Sequence, residues 1–155
     1  MSWNNLSDKW KEYFIQHLHL TASMSKDKNT QVGSIIIDTE KKVVVSSGWN
    51  DLPRGVKHTE ERNSRPLKYL YTVHAEMNCL MNALHLGYSV KGLTMLVTLG
   101  CCPSCSCSVI QSGISEIVTP PLDYSHVSCG ELYQHSEVLI QEGGISWIFD
   151  EKLLT

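Results

Sequence analysis

Nothing in the sequence approaches the uninterrupted apolar run of about 18 residues that crosses a bilayer. No basic-then-apolar leader opens it either, since Met1 is followed by Ser2, Trp3, Asn4 and Asn5. The expectation is a chain neither secreted nor membrane-spanning, resident in the cytoplasm. Charge is sparse and mixed, with Asp, Glu, Lys and Arg making up 19% of residues against 42% hydrophobic. Those proportions exclude disorder, coiled coil and collagen-like repeats. A net charge of −3 leaves little for polymeric nucleic acid, whose binding rests on many Lys and Arg contacts to phosphates. Internal repeats, linkers and low-complexity tracts are absent as well. What is there is a chain of 155 residues, long enough to bury roughly two-thirds of its unfolded surface without metal or disulfide support. One domain spanning residues 1–155 is expected.

Cysteine, by contrast, occurs six times. In a reducing compartment those thiols read as free groups or metal ligands rather than as a disulfide framework. The basic residues are unevenly placed, nine of the thirteen lying between Lys26 and Lys68. Most surface Lys and Arg are simply solvated, but such a cluster suits a small anionic ligand.

Ser7 stands where a helix cap is needed, and Trp10, Tyr13, Phe14 and Leu18 follow at helical spacing until the pattern fades near Ser23. Residues 32–38 and 43–47 are rich in β-branched side chains and flank a polar tetrapeptide, which predicts a hairpin. Residues 49–68 hold two prolines and a glycine without periodicity, a binding loop by its length. A second helix is expected from about His74 to Leu86, stopped by Gly87, and a strand over 93–99 that feeds a third helix over 102–111. A strand over 114–119, a helix over 129–141 and a last strand over 145–149 complete the order. That order implies a layered α/β domain with the hairpin at one end of the sheet and crossovers making the rest parallel.

Two short patterns carry chemistry: His74-Ala75-Glu76 opening the second helix and Cys102-Pro103-Ser104-Cys105 opening the third. A Cys-x-x-Cys alone serves equally as a redox pair, half a structural zinc site or buried thiols. Together the two patterns say more, because both sit at helix N-termini, where the positive end of the dipole stabilises thiolates. One His and two Cys make three protein ligands, the count of a catalytic zinc site whose fourth position is left to water. Two thiolates cancel the formal charge of Zn²⁺, so a base beside that water is expected. Glu76 is two residues from His74 at about 100° per residue, beside the metal rather than on it. The arrangement suits hydrolytic attack at an amidine-like carbon. His-x-Glu with Pro-Cys-x-x-Cys is the pattern of zinc deaminases acting on cytosine or adenine.

On these motifs the chain resembles the deoxycytidylate (dCMP) deaminases of the cytidine deaminase superfamily, found in phages, bacteria and eukaryotes. The resemblance extends from Ser25 to about Tyr124. It includes Ser25-Lys26-Asp27-Lys28-Asn29-Thr30-Gln31-Val32-Gly33, Gly48-Trp49-Asn50-Asp51-Leu52-Pro53, Arg65-Pro66-Leu67-Lys68-Tyr69 and Ile110-Gln111-Ser112-Gly113-Ile114. It implies a three-layer α-β-α cytidine-deaminase-like fold with a five-stranded mixed sheet. It further implies zinc-dependent deamination of dCMP to dUMP and ammonia, feeding thymidylate synthesis, by a homo-oligomer that is commonly a hexamer, in the host cytoplasm if a phage encodes it. By the same resemblance His74, Cys102 and Cys105 are zinc ligands and Glu76 is the proton shuttle. Asn50 then holds the sugar, and Ser25, Lys26 and Tyr124 are contacts for the 5′-phosphate. No membrane and no polymeric nucleic acid partner is expected.

This sequence departs from the family in two places. Cys101 stands where proline usually precedes the first ligand, which opens a second register; counting back from residues 110–114 favours Cys102 and Cys105. Asp51 stands where glycine is common, in a region associated with an allosteric dCTP or dTTP site, and its carboxylate repels a triphosphate unless Mg²⁺ intervenes. Cys79, Cys101, Cys107 and Cys129 read as small buried hydrophobes. His58 with Glu60 and Glu61 is a weaker second metal candidate, and the remaining histidines read as surface or capping groups. Rival readings are a relaxed deaminase acting on dCTP or 5-substituted dCMP, and a non-catalytic zinc-stabilised nucleotide-binding module.

Overall fold

A computed structural model describes residues 1–126 and 130–154. Ten elements follow one another: α1 (Asp8–Ala22), β1 (Gly33–Asp38), β2 (Val43–Trp49), α2 (Lys68–Tyr71), α3 (Ala75–His85), β3 (Thr94–Val97), α4 (Pro103–Ser112), β4 (Glu116–Thr119), α5 (Tyr133–Glu142) and β5 (Ser146–Phe149). Short 3-10 turns lie at Trp3–Asn5, Gly130–Leu132 and Glu151–Leu154. The five strands form one sheet in the order β2-β1-β3-β4-β5. β1 pairs antiparallel with both β2 and β3, whereas β3, β4 and β5 run parallel.

β1, β3 and β4 are buried almost throughout, because helices cover both faces of the sheet. Alternation along each strand sorts side chains into two cores. Ile36, Met95, Val97 and Ile117 meet Cys79, Leu80, Val109 and Ile140 of α3, α4 and α5 on one face. Ile35, Ile37, Leu96 and Val118 meet Phe14, Ile15 and Leu18 of α1 on the other, with Trp3 and Leu153 closing that face. The result is the three-layer, five-stranded mixed sheet that the family resemblance implied. No helix among the described residues is long and apolar enough to cross a membrane.

Three local expectations need correction. Ser7 is the N-cap of α1, but its hydroxyl makes no capping bond; only its carbonyl accepts, from the Trp10 and Lys11 amides. The expected loop of residues 49–68 gives way at its end to α2, a single turn too short for hydrophobic periodicity to announce. The last helix begins at Tyr133 after a 3-10 turn, and the Cys129 start expected for it lies outside the described residues.

Candidate active site

The site is assembled where three elements are forced together. Gly48 in β2 packs flush on α3: a Cβ there would fall on the backbone of Asn78 and Cys79. Polar side chains then lock the contact. Ser46 Oγ donates to the Cys79 carbonyl at 2.7 Å, and Asn78 Nδ2 to the Trp49 carbonyl at 2.7 Å. Asn82 Nδ2 donates to the Ser47 carbonyl at 2.6 Å. Beyond the strand, Asp51 and Val73 exchange backbone hydrogen bonds of 2.8 and 3.2 Å. The end of β2, carrying Asn50, is thereby fixed beside His74, the N-cap of α3.

α4 brings the sulfurs to the same point. Cys102 is its N-cap and Pro103 its first residue, so the cysteines sit at a helix start as the motif required. His74, Cys102 and Cys105 are the one group of metal-binding type among the described residues. His74 Nδ1 lies 3.5 Å from the Sγ of Cys102 and 3.5 Å from that of Cys105. Bonds of about 2.0 Å from zinc to nitrogen and 2.3 Å to sulfur, at a tetrahedral angle, place the two donors about 3.5 Å apart. The donor set therefore fits zinc in kind and in span. The Cys102 thiol is held down to about 4, first by the hydrogen bond from Cys105 and also by His74. Cys105 is pushed far up by the same pairing and by burial. His74 is raised, chiefly by its bond with Cys102 and further by Glu76.

Glu76, in the first turn of α3, is 4% exposed. Burial raises its carboxyl, and the Cys102 thiolate raises it further. Cys101, fully buried, has its thiol pushed well up, first by that burial and then by the neighbouring Glu76 charge. Cys101 is thus outside the His74-Cys102-Cys105 cluster and close enough to Glu76 to feel its charge. Glu76, His74, Cys102 and Asn50 open together onto a cavity of about 480 Å³, whose wall also includes Asp27, Arg65, Lys68 and His126. Most of that lining is apolar, which suits a heterocycle. Asn50 is oriented by two bonds: Oδ1 accepts from the Val32 amide at 2.8 Å, and Nδ2 donates to the Thr30 carbonyl at 2.9 Å. One N–H and one lone pair remain for a ligand.

The remaining expected contacts are placed differently. Ser25, buried, spends its hydroxyl on the Asn50 carbonyl at 2.9 Å. Together with exposed Lys26 it lines a shallow open concavity that adjoins the main cavity at Asp27. Tyr124 is 54% exposed and donates to Glu137 at 2.8 Å, outside the cavity lining. His58 pairs with Asp51 at 3.2 Å while Glu60 pairs with Lys28 at 2.8 Å, so no second metal cluster forms among the described residues. Cys79 is buried as expected and pushed up to about 12 by desolvation. Cys107 is exposed on α4, against the expectation of a buried hydrophobe; Cys129 lies outside the described residues. The structure adds Lys68, Asp27, Arg65 and His126 to the cavity wall, none of which sequence reasoning assigned. Asp27, Arg65 and Lys68 stand in segments that carry the family resemblance, and Arg65 and Lys68 in the basic cluster as well; His126 had no such signal.

A family model described as the cytidine and deoxycytidylate deaminase zinc-binding region matches residues 8–120. Over 143 residues the chain is 36% identical to an uncharacterized deaminase of the luxG 3′ region of Aliivibrio fischeri, covering 90% of this chain and 94% of that one. It is 39% identical to the human deoxycytidylate deaminase over 117 residues, 71% of this chain and 64% of that enzyme. The match thus spans just under two-thirds of the human protein's length. A dCMP deaminase from cyanophage S-TIM5, solved with dCMP and dUMP, shares the fold with a TM-score of 0.76 at 21% identity, over 94% of this chain and 100% of that one. By the family model and by its similarity to the Aliivibrio protein, this chain belongs to the cytidine and deoxycytidylate deaminase family.

Proposed function

We propose that the protein hydrolyses dCMP to dUMP and ammonia. One observation carries the reading: a buried carboxyl, Glu76, shares a cavity with a His-Cys-Cys donor set of zinc dimensions and with an asparagine whose amide is half reserved for a ligand. The substrate class comes from the relatives named deoxycytidylate deaminase.

His74, Cys102 and Cys105 would hold the zinc, which when bound lowers the pKa of a water from about 15.7 toward 7. Glu76 does the proton work. It accepts a proton as water oxygen bonds to C4 of the base, and delivers it to ring N3. Deprotonated again, it takes the second proton from the new C4 hydroxyl and passes it to the exocyclic amine, so that the C4–N bond breaks, ammonia leaves and the C4 carbonyl of dUMP forms. Burial raises the Glu76 carboxyl above the ordinary carboxylate range, which makes it a better proton acceptor than an exposed glutamate. Asn50 uses its remaining donor and acceptor on a sugar hydroxyl. Lys26 and Ser25, across Asp27 from the cavity, are proposed for the 5′-phosphate together with Tyr124, which would have to leave Glu137 to reach it.

The same reading has the chain act as one domain, residues 1–155, in the cytoplasm, where thiols stay reduced. A homo-oligomer, hexameric by the family resemblance, is supported by exposed apolar side chains such as Leu70 (80%), Leu84 (69%) and Leu86 (63%). An allosteric triphosphate belongs at the concavity of about 260 Å³ lined by Trp49, Asp51, Arg54 and His58. Asp51 there requires Mg²⁺ to bridge it to the phosphates.

The test is ammonia release from dCMP. Glu76→Ala is expected to lower turnover by about 10²- to 10⁴-fold, the worth of general acid-base catalysis, with zinc content and melting temperature retained. Turnover at the wild-type rate in that variant rejects the mechanism.

A further inference from the structure

Lys68 is a lysine in the wall of the cavity, yet its side chain is only 8% exposed. Its ammonium meets Asp27 Oδ2 at 2.8 Å and Oδ1 at 3.1 Å, and the Asp27 side chain is itself 10% exposed. Charges taken from water at this depth cost several kcal/mol each unless paired and hydrogen-bonded. These are both. Asp27 Oδ1 also accepts from the amides of Asn29 at 2.8 Å and Thr30 at 3.1 Å.

The connection does not stop at the pair. The Thr30 carbonyl fixed by this turn is the acceptor for Asn50 Nδ2, and the next residue but one, Val32, donates to Asn50 Oδ1. On the other side of Asp27, Ser25 Oγ bonds the Asn50 carbonyl, and Gln31 Nε2 holds the Ser25 carbonyl at 2.6 Å. Residues 25–32 therefore form a cradle around Asn50. Among the described residues, the charged side chain that ties this cradle to α2, across 41 residues of sequence, is Lys68.

We infer that the Lys68–Asp27 pair is a positioning pair: it holds the cradle of residues 25–32 in register so that Asn50 presents its free donor and lone pair to the nucleotide. It sets substrate binding and takes no part in the proton transfers at Glu76. All three donors of Lys68 face Asp27 or, at 3.5 Å, Asn29 Oδ1, so the ammonium is committed to protein rather than to a phosphate. The inference rests on the dCMP reading for its ligand, but not for its mechanics.

The experiment uses the full-length, zinc-loaded protein. Lys68→Met is expected to raise KM for dCMP by about tenfold or more while kcat stays within about threefold, because uniform binding is lost and the transition-state interactions remain. Lys68→Met also strands a buried carboxylate, so its melting temperature falls. Lys68→Met with Asp27→Asn removes the stranded charge and is expected to recover the melting temperature but not KM. Lys68→Arg, which keeps the charge, should return KM toward wild type. Amide hydrogen exchange supplies a readout independent of turnover: the Val32 and Asn50 amides should exchange faster in both Met variants, with those of α4 unchanged. Recovery of KM together with the melting temperature in the double variant overturns the inference, as does unaltered exchange at Val32 and Asn50. If wild type releases no ammonia from dCMP while exchange responds as expected, the substrate reading fails and the clamp stands.

Discussion

At the scale of the residue, function here depends on which neighbour each ionisable group meets. Cys101 and Cys102 are adjacent in sequence, yet one is buried within reach of the Glu76 charge and the other joins His74 and Cys105. Cys102→Ala is therefore expected to lose stoichiometric zinc, and Cys101→Ala to keep it; metal analysis of the two purified variants separates the two candidates for the first sulfur ligand, and the opposite pattern would move that ligand by one residue. Burial pushes the Asp27 carboxyl up, but the Lys68 ammonium and the Asn29 and Thr30 amides together hold it below its ordinary 3.8. A carboxyl lowered in the folded state stabilises it above the unfolded pKa, and that contribution disappears as pH falls through the lower folded value. Removing the ammonium with Lys68→Met lifts the folded value, so acid unfolding followed by far-UV circular dichroism should begin at higher pH than in wild type. A midpoint that stays put contradicts the pairing. Legibility in the sequence divides along the same line. His74, Glu76, Cys102 and Cys105 could be read because helix starts gather them within a few residues. Lys68 and Asp27 could not, since a lysine gives no local sign that it will be buried against an acid 41 residues away.

Elements inherit their placement from small residues at crossings. α3 lies against β2 because Gly48 leaves room for the helix backbone, and Ser46, Asn78 and Asn82 convert that proximity into hydrogen bonds. Gly48→Ala forces backbone to move, and overpacking of this kind costs about 1–3 kcal/mol. For a chain of this size that lowers the melting temperature by about 2–10 °C, measurable by calorimetry. Because the shift falls between Asn50 and His74, kcat/KM for dCMP should drop as well; a variant with wild-type stability would show that the contact is looser than drawn. Strands β1 and β2 and helices α1, α3 and α4 could be anticipated, since each carries enough periodic apolar residues to declare itself. α2 could not. Four residues cannot show helical periodicity, and Tyr69 and Leu70 are exposed, so its position comes from contacts made by Lys68 and by the bridge at Val73.

In the whole molecule the two cores divide the labour. One face of the sheet, with α1, is closed by Trp3, whose indole donates to Asp150 at 2.9 Å and whose amide donates to Glu116 at 2.8 Å. The proposed zinc donors lie on the other face, where they connect the start of α3 to the start of α4. Both faces also hold large apolar clusters that need no metal. Zinc should accordingly stabilise this fold without being required for it. An ion present at a hundred times its Kd contributes about 2.7 kcal/mol, or about 5–10 °C in melting temperature for a domain of this length. Treatment with a strong chelator is therefore expected to abolish ammonia release and lower the melting temperature by that amount while leaving the far-UV circular dichroism spectrum intact. Added zinc should restore both. Complete unfolding on chelation would mean that the sheet cannot hold its helices without the metal, and that the two clusters are weaker than their burial implies.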